Sequence, residues 1–220
     1  MRIAIIGAQL TGKSSYVEQF LQRWPMYSKP TESYRDIIKA KGLQINRDSC
    51  KLSQQEIMDA LVVQAQQASD QKYVIHDRCI LDNLAYTAYH ALAGNTDIDP
   101  EFFQQSTMIA NQVVKMYDII FYFPTAGFDV DGNNEREQRD TDQEFRQSID
   151  NIFQTFYTAN LERKGVLFDR EDSPPIIPLG GQVVEKLVLT SLYVDDNGDP
   201  YETGFNLTEE LDKMPRIITP

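Results

Sequence analysis

The chain has 220 residues, 41% of them apolar, and a net charge of −12. That length suits one large domain, or one domain with an appendage, and the apolar content supports a core. No run approaches the roughly 18 apolar residues of a membrane helix, and the first apolar run is too short for a secretion signal. The charge is uneven: residues 1–51 hold nine cationic and four acidic side chains, a net +5, so the remainder carries −17. A basic end on an acidic body suits a small anionic ligand held locally and disfavours a broad duplex-DNA face, while the excess acid aids solubility. Cys50 and Cys79 are far apart and read as free thiols in a reducing cytoplasm.

Residues 2–6 (RIAII) predict a buried strand. Gly7-Ala8-Gln9-Leu10-Thr11-Gly12-Lys13-Ser14 follows, with Ser15 next. This is G-x-x-x-x-G-K-S, the phosphate-binding P-loop. Its glycines permit a turn whose backbone N–H groups face a polyphosphate at a helix N-terminus. Lys13 is then placed to reach the β and γ phosphates of a nucleotide, and the Ser14 hydroxyl to ligate Mg²⁺.

Residues 13–24 predict a helix stopped by Pro25. A short strand over 26–29 and a helix over 32–40 come next. Ser53 to Glu56 has the form of a capping box, followed by Ile57, Leu61, Val62 and Ala65 at helical spacing. A buried strand is predicted over 73–76, helices over 81–92 and 100–116, and a strand over 118–123. Residues 129–142 are polar. A long helix is predicted over 141–161, a short strand pair over 166–168 and 176–177, and a final helix over 183–193. Residues 194–220 read as an acidic extension, partly ordered at best. The expected division is therefore 1–193, with a lid at about 126–146, and 194–220. Strands alternating with helices imply a mostly parallel sheet covered on both faces. The expected class is α/β, a three-layer P-loop NTPase sandwich with a helical lid region, its ligands beyond the carboxyl ends of the strands.

Further residues carry chemistry in that frame. Asp77-Arg78 closes the strand at 73–76, where an acid can hold Mg²⁺ or accept a hydroxyl proton. Asp82 and Asn83 lie a turn further on and read equally as cleft residues or helix caps. Glu32 and Arg35 follow the short second strand. Glu32 reads either as a base or orienter for an acceptor hydroxyl, with Arg35 binding an anion, or as a first-turn acid of a helix. Arg136, Arg139 and Arg146 lie where a lid belongs, and such an arginine stabilises charge on a transferring phosphoryl group. Gly180-Gly181 reads as a loop or as a close backbone approach to a flat base. Trp24, Tyr34 and Tyr86 are candidates to stack on a base. His76 reads as a strand residue with a local hydrogen bond and His90 as a helix-face residue, with no zinc spacing.

Together these residues resemble the nicotinamide riboside kinase-like group of P-loop kinases. The P-loop with its Thr11, Glu32-Ser33-Tyr34-Arg35 as an E-x-x-R element, and Asp77-Arg78 all match that group's pattern. Asp131-Gly132 with Arg139-Asp140-Thr141 and Arg146 is similar to its lid, and Leu179-Gly180-Gly181 to its glycine loop before the last helix. The order runs through about residue 190. Six residues separate Gly132 from Arg139, longer than the family spacing, and residues 194–220 have no counterpart. The resemblance implies an ATP- and Mg²⁺-dependent kinase acting on a nucleoside or nucleotide. Lys13, Asp77, Glu32, Arg139 and Arg146 would be catalytic, Glu32, Arg35 and Arg78 would contact the acceptor, and Ser14 and Asp77 would hold the metal. Relatives are frequent in bacteriophages, so a hydroxymethylated base within DNA is an alternative acceptor. A regulatory nucleotide switch is the alternative from another class. A dimer is compatible with either.

Overall fold

The computed structural model describes residues 1–30, 34–94, 96–126, 143–168 and 172–201. Among these, four strands form one parallel sheet in the order β2-β1-β3-β4. They are β1 (Arg2–Ile6), β2 (Val74–Asp77), β3 (Ile119–Tyr122) and β4 (Ile176–Pro178). Ile3 pairs with Ile75 on one side and Ile119 on the other, so β1 is flanked on both edges. Such a strand is buried on both faces, which explains its unbroken apolar sequence.

Helices cover both faces. Ile3, Ile5 and Phe121 point toward α1 (Lys13–Arg23), where Tyr16, Val17, Phe20 and Trp24 pack with them, joined by Leu187 of α7 (Val183–Thr190). Ala4, Ile6, Ile120 and Tyr122 point the other way. They meet α3 (Lys51–Ala68), α4 (Ile80–Ala93), α5 (Pro100–Val113) and α6 (Gln143–Leu161) through residues such as Leu61, Leu84, Ala110 and Phe153. The remaining helix, α2 (Tyr34–Lys41), packs on α3. The three-layer parallel sandwich expected from the sequence is present. The chain runs from β1 out to β2 and then crosses back to β3 on the other side of β1, and the P-loop stands at the carboxyl end of β1, where α/β folds bind ligands.

Several local expectations shift. The strand over 26–29 reduces to one bridge, Ser28 with Val74. Residues 166–168 form a turn, with Phe168 N–H donating to Gly165 at 3.2 Å. Helix α3 starts one turn early because the Ser53 hydroxyl accepts from Cys50 N–H at 3.0 Å, so Cys50 and Ser53 make the capping box in place of Ser53 and Glu56. The helix over 100–116 ends at Val113 and tightens into a 3₁₀ turn, Val114–Met116. Helix α7 stops at Thr190, short of 193.

The chain after residue 193 continues into the fold. Val194 is buried and bridges antiparallel to Pro200. The loop between them accepts hydrogen bonds from Trp24 Nε1 (to Asp195 O, 2.7 Å) and Tyr27 OH (to Gly198 O, 2.7 Å), and Tyr73 OH donates to Asp199 at 3.0 Å. Trp24 is 1% exposed, so it is a core anchor and not a base-stacking residue. The rest of the acidic extension, 202–220, lies outside the described residues. His76 is buried edge-on against Tyr117, and burial lowers its pKa to about 4, so it is neutral at pH 7. His90 is also buried and meets the Asn46 carbonyl at 2.7 Å, not solvent. No described helix is long and apolar enough to cross a membrane.

Candidate nucleotide and acceptor site

The phosphate loop depends on a close backbone crossing. Gly7 has φ 146°, and a Cβ there would lie 2.5 Å from the Phe123 carbonyl oxygen. Glycine alone fits. Gly7→Ala should destabilise the protein by about 2–3 kcal/mol, read as a lower urea midpoint; an unchanged midpoint would mean that the crossing can relax. Leu10 (φ 59°) and Gly12 (φ 80°) turn the chain through the left-handed region into α1. Thr11 Oγ1 donates to Ala8 O at 3.0 Å and holds the loop closed. Lys13 is 5% exposed, and its ammonium donates to Gly7 O at 2.7 Å and Ala8 O at 2.5 Å. Ser15, one residue past the motif, is exposed.

β2 runs beside β1, and this adjacency brings Asp77 to the loop. Ser14 Oγ donates to Asp77 Oδ2 at 2.7 Å. The other carboxylate oxygen, Oδ1, is buried with no hydrogen-bond partner among the described residues. A hydroxyl in the first turn of α1 and an unsatisfied carboxylate oxygen at the end of β2 are hard oxygen donors, and the pair fits Mg²⁺.

Arg78 follows with φ 91°. A left-handed arginine is strained, and such strain concentrates at functional sites. Its Nη1 donates to Asp82 Oδ1 at 3.1 Å, and its guanidinium lies 5.9 Å from the Tyr86 ring centroid. Asp82 also accepts from Cys79 N–H at 3.2 Å. The two readings of Asp82, cap and cleft residue, are thus both realised in one side chain. Burial raises the Asp82 carboxyl to about 6, against the opposing charges of Arg78 and Lys13. Because the folded value lies above the ordinary 3.8, its contribution to stability is full below that value and is lost as pH rises through about 6. Asp82→Asn, neutral throughout, should flatten this slope. In urea unfolding at pH 4 to 7, its stability relative to wild type should improve as pH rises, and an opposite trend would sink the assignment.

A half-open cleft lies beside these residues, with about 50 Å³ of internal room. Ile38, Ile45, Ile57 and Leu61 supply apolar wall, and Arg78, Asp82, Asn83, Gln54 and Tyr86 supply polar groups. Asn83 Nδ2 donates to Gln54 Oε1 at 2.7 Å, which fixes both amides. Tyr86 OH donates to Gln9 Oε1 at 2.8 Å and so ties the cavity to the P-loop. Gln9 Nε2 and Ser49 Oγ are buried without partners among the described residues. An apolar slot with a few fixed polar groups is the usual form of a small-ligand site.

The expected site residues divide accordingly. The P-loop, Ser14, Asp77, Arg78 and Asp82 come together. Arg146 sits in the first turn of α6, whose Phe145 packs 6.1 Å from Tyr86. Arg146 Nε and Nη2 are buried without hydrogen-bond partners among the described residues, and burial lowers its pKa. An anion would satisfy those donors. Glu32, Arg136, Arg139 and most of the expected lid lie outside the described residues, as does the side chain of Arg35. Gln54 and Ser49 were not singled out from the sequence; each matters only because α3 folds against α4.

No curated protein matches the chain. Among solved structures, it is similar to deoxyadenosine kinase from M. mycoides, solved with products dCMP and a flexible dCDP. The TM-score is 0.63 at 17% identity, covering 97% of this chain and 100% of that one. It is also similar to the NadR protein in complex with NR (TM-score 0.56, 14% identity, 81% and 43% covered). A third is thymidylate kinase from Candida albicans (TM-score 0.51, 16% identity, 90% and 93% covered). At these identities the likeness shows the fold, which P-loop kinases share. A family model described as AAA domain matches residues 2–167. That span includes the phosphate loop, Asp77 and the walls of the cavity, and the chain belongs to the AAA domain family.

Proposed function

We propose that the protein is an ATP- and Mg²⁺-dependent kinase that transfers a phosphoryl group to a nucleoside or nucleotide. One observation carries the reading: the P-loop adjoins a second, largely apolar cleft, through Gln9–Tyr86 at 2.8 Å and the Asp77-Arg78 strand end. A nucleotide-binding switch needs no second small-molecule cavity there. The cleft's apolar walls and the acidic body also favour a free acceptor over a base held within DNA.

In this reading the P-loop amides and Lys13 hold the donor phosphates. Ser14 and Asp77 would hold Mg²⁺, which neutralises charge on the β and γ phosphate oxygens when bound. Arg78 and Asp82 orient the acceptor's reacting end, and Ile38, Ile57, Tyr86 and the Gln54–Asn83 pair hold its base-like end. Arg146, with Arg139, stabilises charge on the transferred group. The hydrogen bond from Ser14 commits Asp77 Oδ2 to the donor side, so Glu32 is the residue we assign to the acceptor hydroxyl, and Arg35 to an anionic group of the acceptor.

A transfer screen tests the reading. Labelled ATP would be offered with nucleosides, mononucleotides, nicotinamide riboside and oligonucleotides. Label on a free nucleoside or nucleotide supports it. Label on oligonucleotide alone turns it to a DNA-modifying kinase, and ATP hydrolysis without transfer to any acceptor turns it to a switch. GTP run in parallel identifies the donor base.

A further inference from the structure

Among the described residues, Lys186 is the one buried lysine that the proposed chemistry leaves without a task. It lies in α7, its residue 0% exposed. Its ammonium donates to Gly181 O at 2.6 Å and to Thr11 O at 3.4 Å, and stands 4.7 Å from the Phe123 ring centroid. Each contact belongs to a different segment around the donor side. Thr11 is in the P-loop. Phe123 follows β3 and supplies the carbonyl that Gly7 crosses. Gly181 is the turn into α7, held at φ 81° against Glu185, whose carboxylate accepts from Gln182 N–H at 2.6 Å. A buried cation is costly unless its hydrogen bonds are made. Once made, those bonds fix the segments that supply the carbonyls.

We infer that Lys186 is a positioning residue that locks the phosphate loop in register with the Gly180-Gly181 loop, so that one nucleotide can engage both at once. The inference rests on the kinase reading and adds to it the ligand-facing role of the glycine loop. The Thr11 carbonyl is turned down onto Lys186, which leaves the loop's N–H groups to face the phosphates. The Gly181 carbonyl is turned down onto the same ammonium, which leaves the outer side of that loop for the base. Burial lowers the Lys186 pKa to about 8, opposed by the Glu185 carboxylate.

Two experiments test it. The first is Lys186→Met, which keeps the stem and removes the charge. KM for ATP should rise about tenfold, the scale of lost hydrogen bonds to a charged group, while kcat and acceptor KM stay within about twofold. A lower melting temperature with KM for ATP unchanged, or a fall in kcat and a rise in acceptor KM as large as the rise in KM for ATP, would overturn the proposal. The second uses the unmodified protein and does not depend on a variant folding. Hydrogen exchange with and without MgATP should show residues 7–15 and 179–187 protected together, at the same ATP concentration. Protection of 7–15 alone overturns the proposal and leaves the kinase reading intact. Absence of ATP binding to the wild type refutes both.

Discussion

Lys13→Ala should lower phosphoryl transfer by about a thousandfold or more while the protein remains folded. The ammonium sits inside the loop at 2.7 Å from Gly7 O, within reach of any phosphate bound by the surrounding amides. No other described lysine enters the loop from above; Lys186 approaches from below, through α7. The fold should survive because α1 is anchored by Tyr16, Val17 and Phe20, none of which depends on Lys13. The bonds lost are to loop carbonyls, worth about 1–2 kcal/mol. Steady-state transfer assays with circular dichroism on the same samples check both halves. Transfer within tenfold of wild type would mean that the P-loop is not where the donor phosphates are held.

Asp77→Asn should lower kcat by about a hundredfold or more and raise the Mg²⁺ concentration needed for half-maximal rate. An asparagine oxygen can still accept from Ser14, so the local structure persists while the negative charge is lost. The two-sided environment of this carboxylate explains why charge is the variable: Oδ2 is bonded to Ser14 and Oδ1 is buried with no partner among the described residues. A Mg²⁺ titration of the variant separates the roles. A lower kcat at unchanged Mg²⁺ dependence would take Asp77 off the metal and make it the acceptor base.

The parts of the molecule legible in the sequence are those determined by neighbours a few residues apart. The P-loop could be read because its glycines, lysine and serine act through the backbone of one turn. Asp77 could be placed because a parallel strand puts its last residue at the ligand edge whatever surrounds it. The buried patterns of 2–6 and 119–122 gave the sheet and its layers. What escaped depends on distant partners. Trp24 looked available for a base until residues 195–198, more than 170 positions later, covered it. Lys186 lies in an ordinary amphipathic stretch, and nothing near it in sequence announces that its ammonium meets Thr11. Gln54 is one amide among many until α3 and α4 bring it to Asn83.

The central place of β1 has a consequence for how the chain reaches this structure. Its first partner, β2, begins at Val74, and its second, β3, at Ile119. The strand that completes the sheet's interior is therefore made first and waits longest. At about 5–20 residues per second, Ile3 to Ile6 would stay without strand partners for several seconds of synthesis. A short, uncharged, β-branched segment in that position invites pairing with another chain. Arg2 and the glycine-rich loop flank it on either side, a cation and a chain-breaking turn that limit how far such a contact could extend. Refolding should accordingly be slow, because both closures that protect β1 are long in sequence.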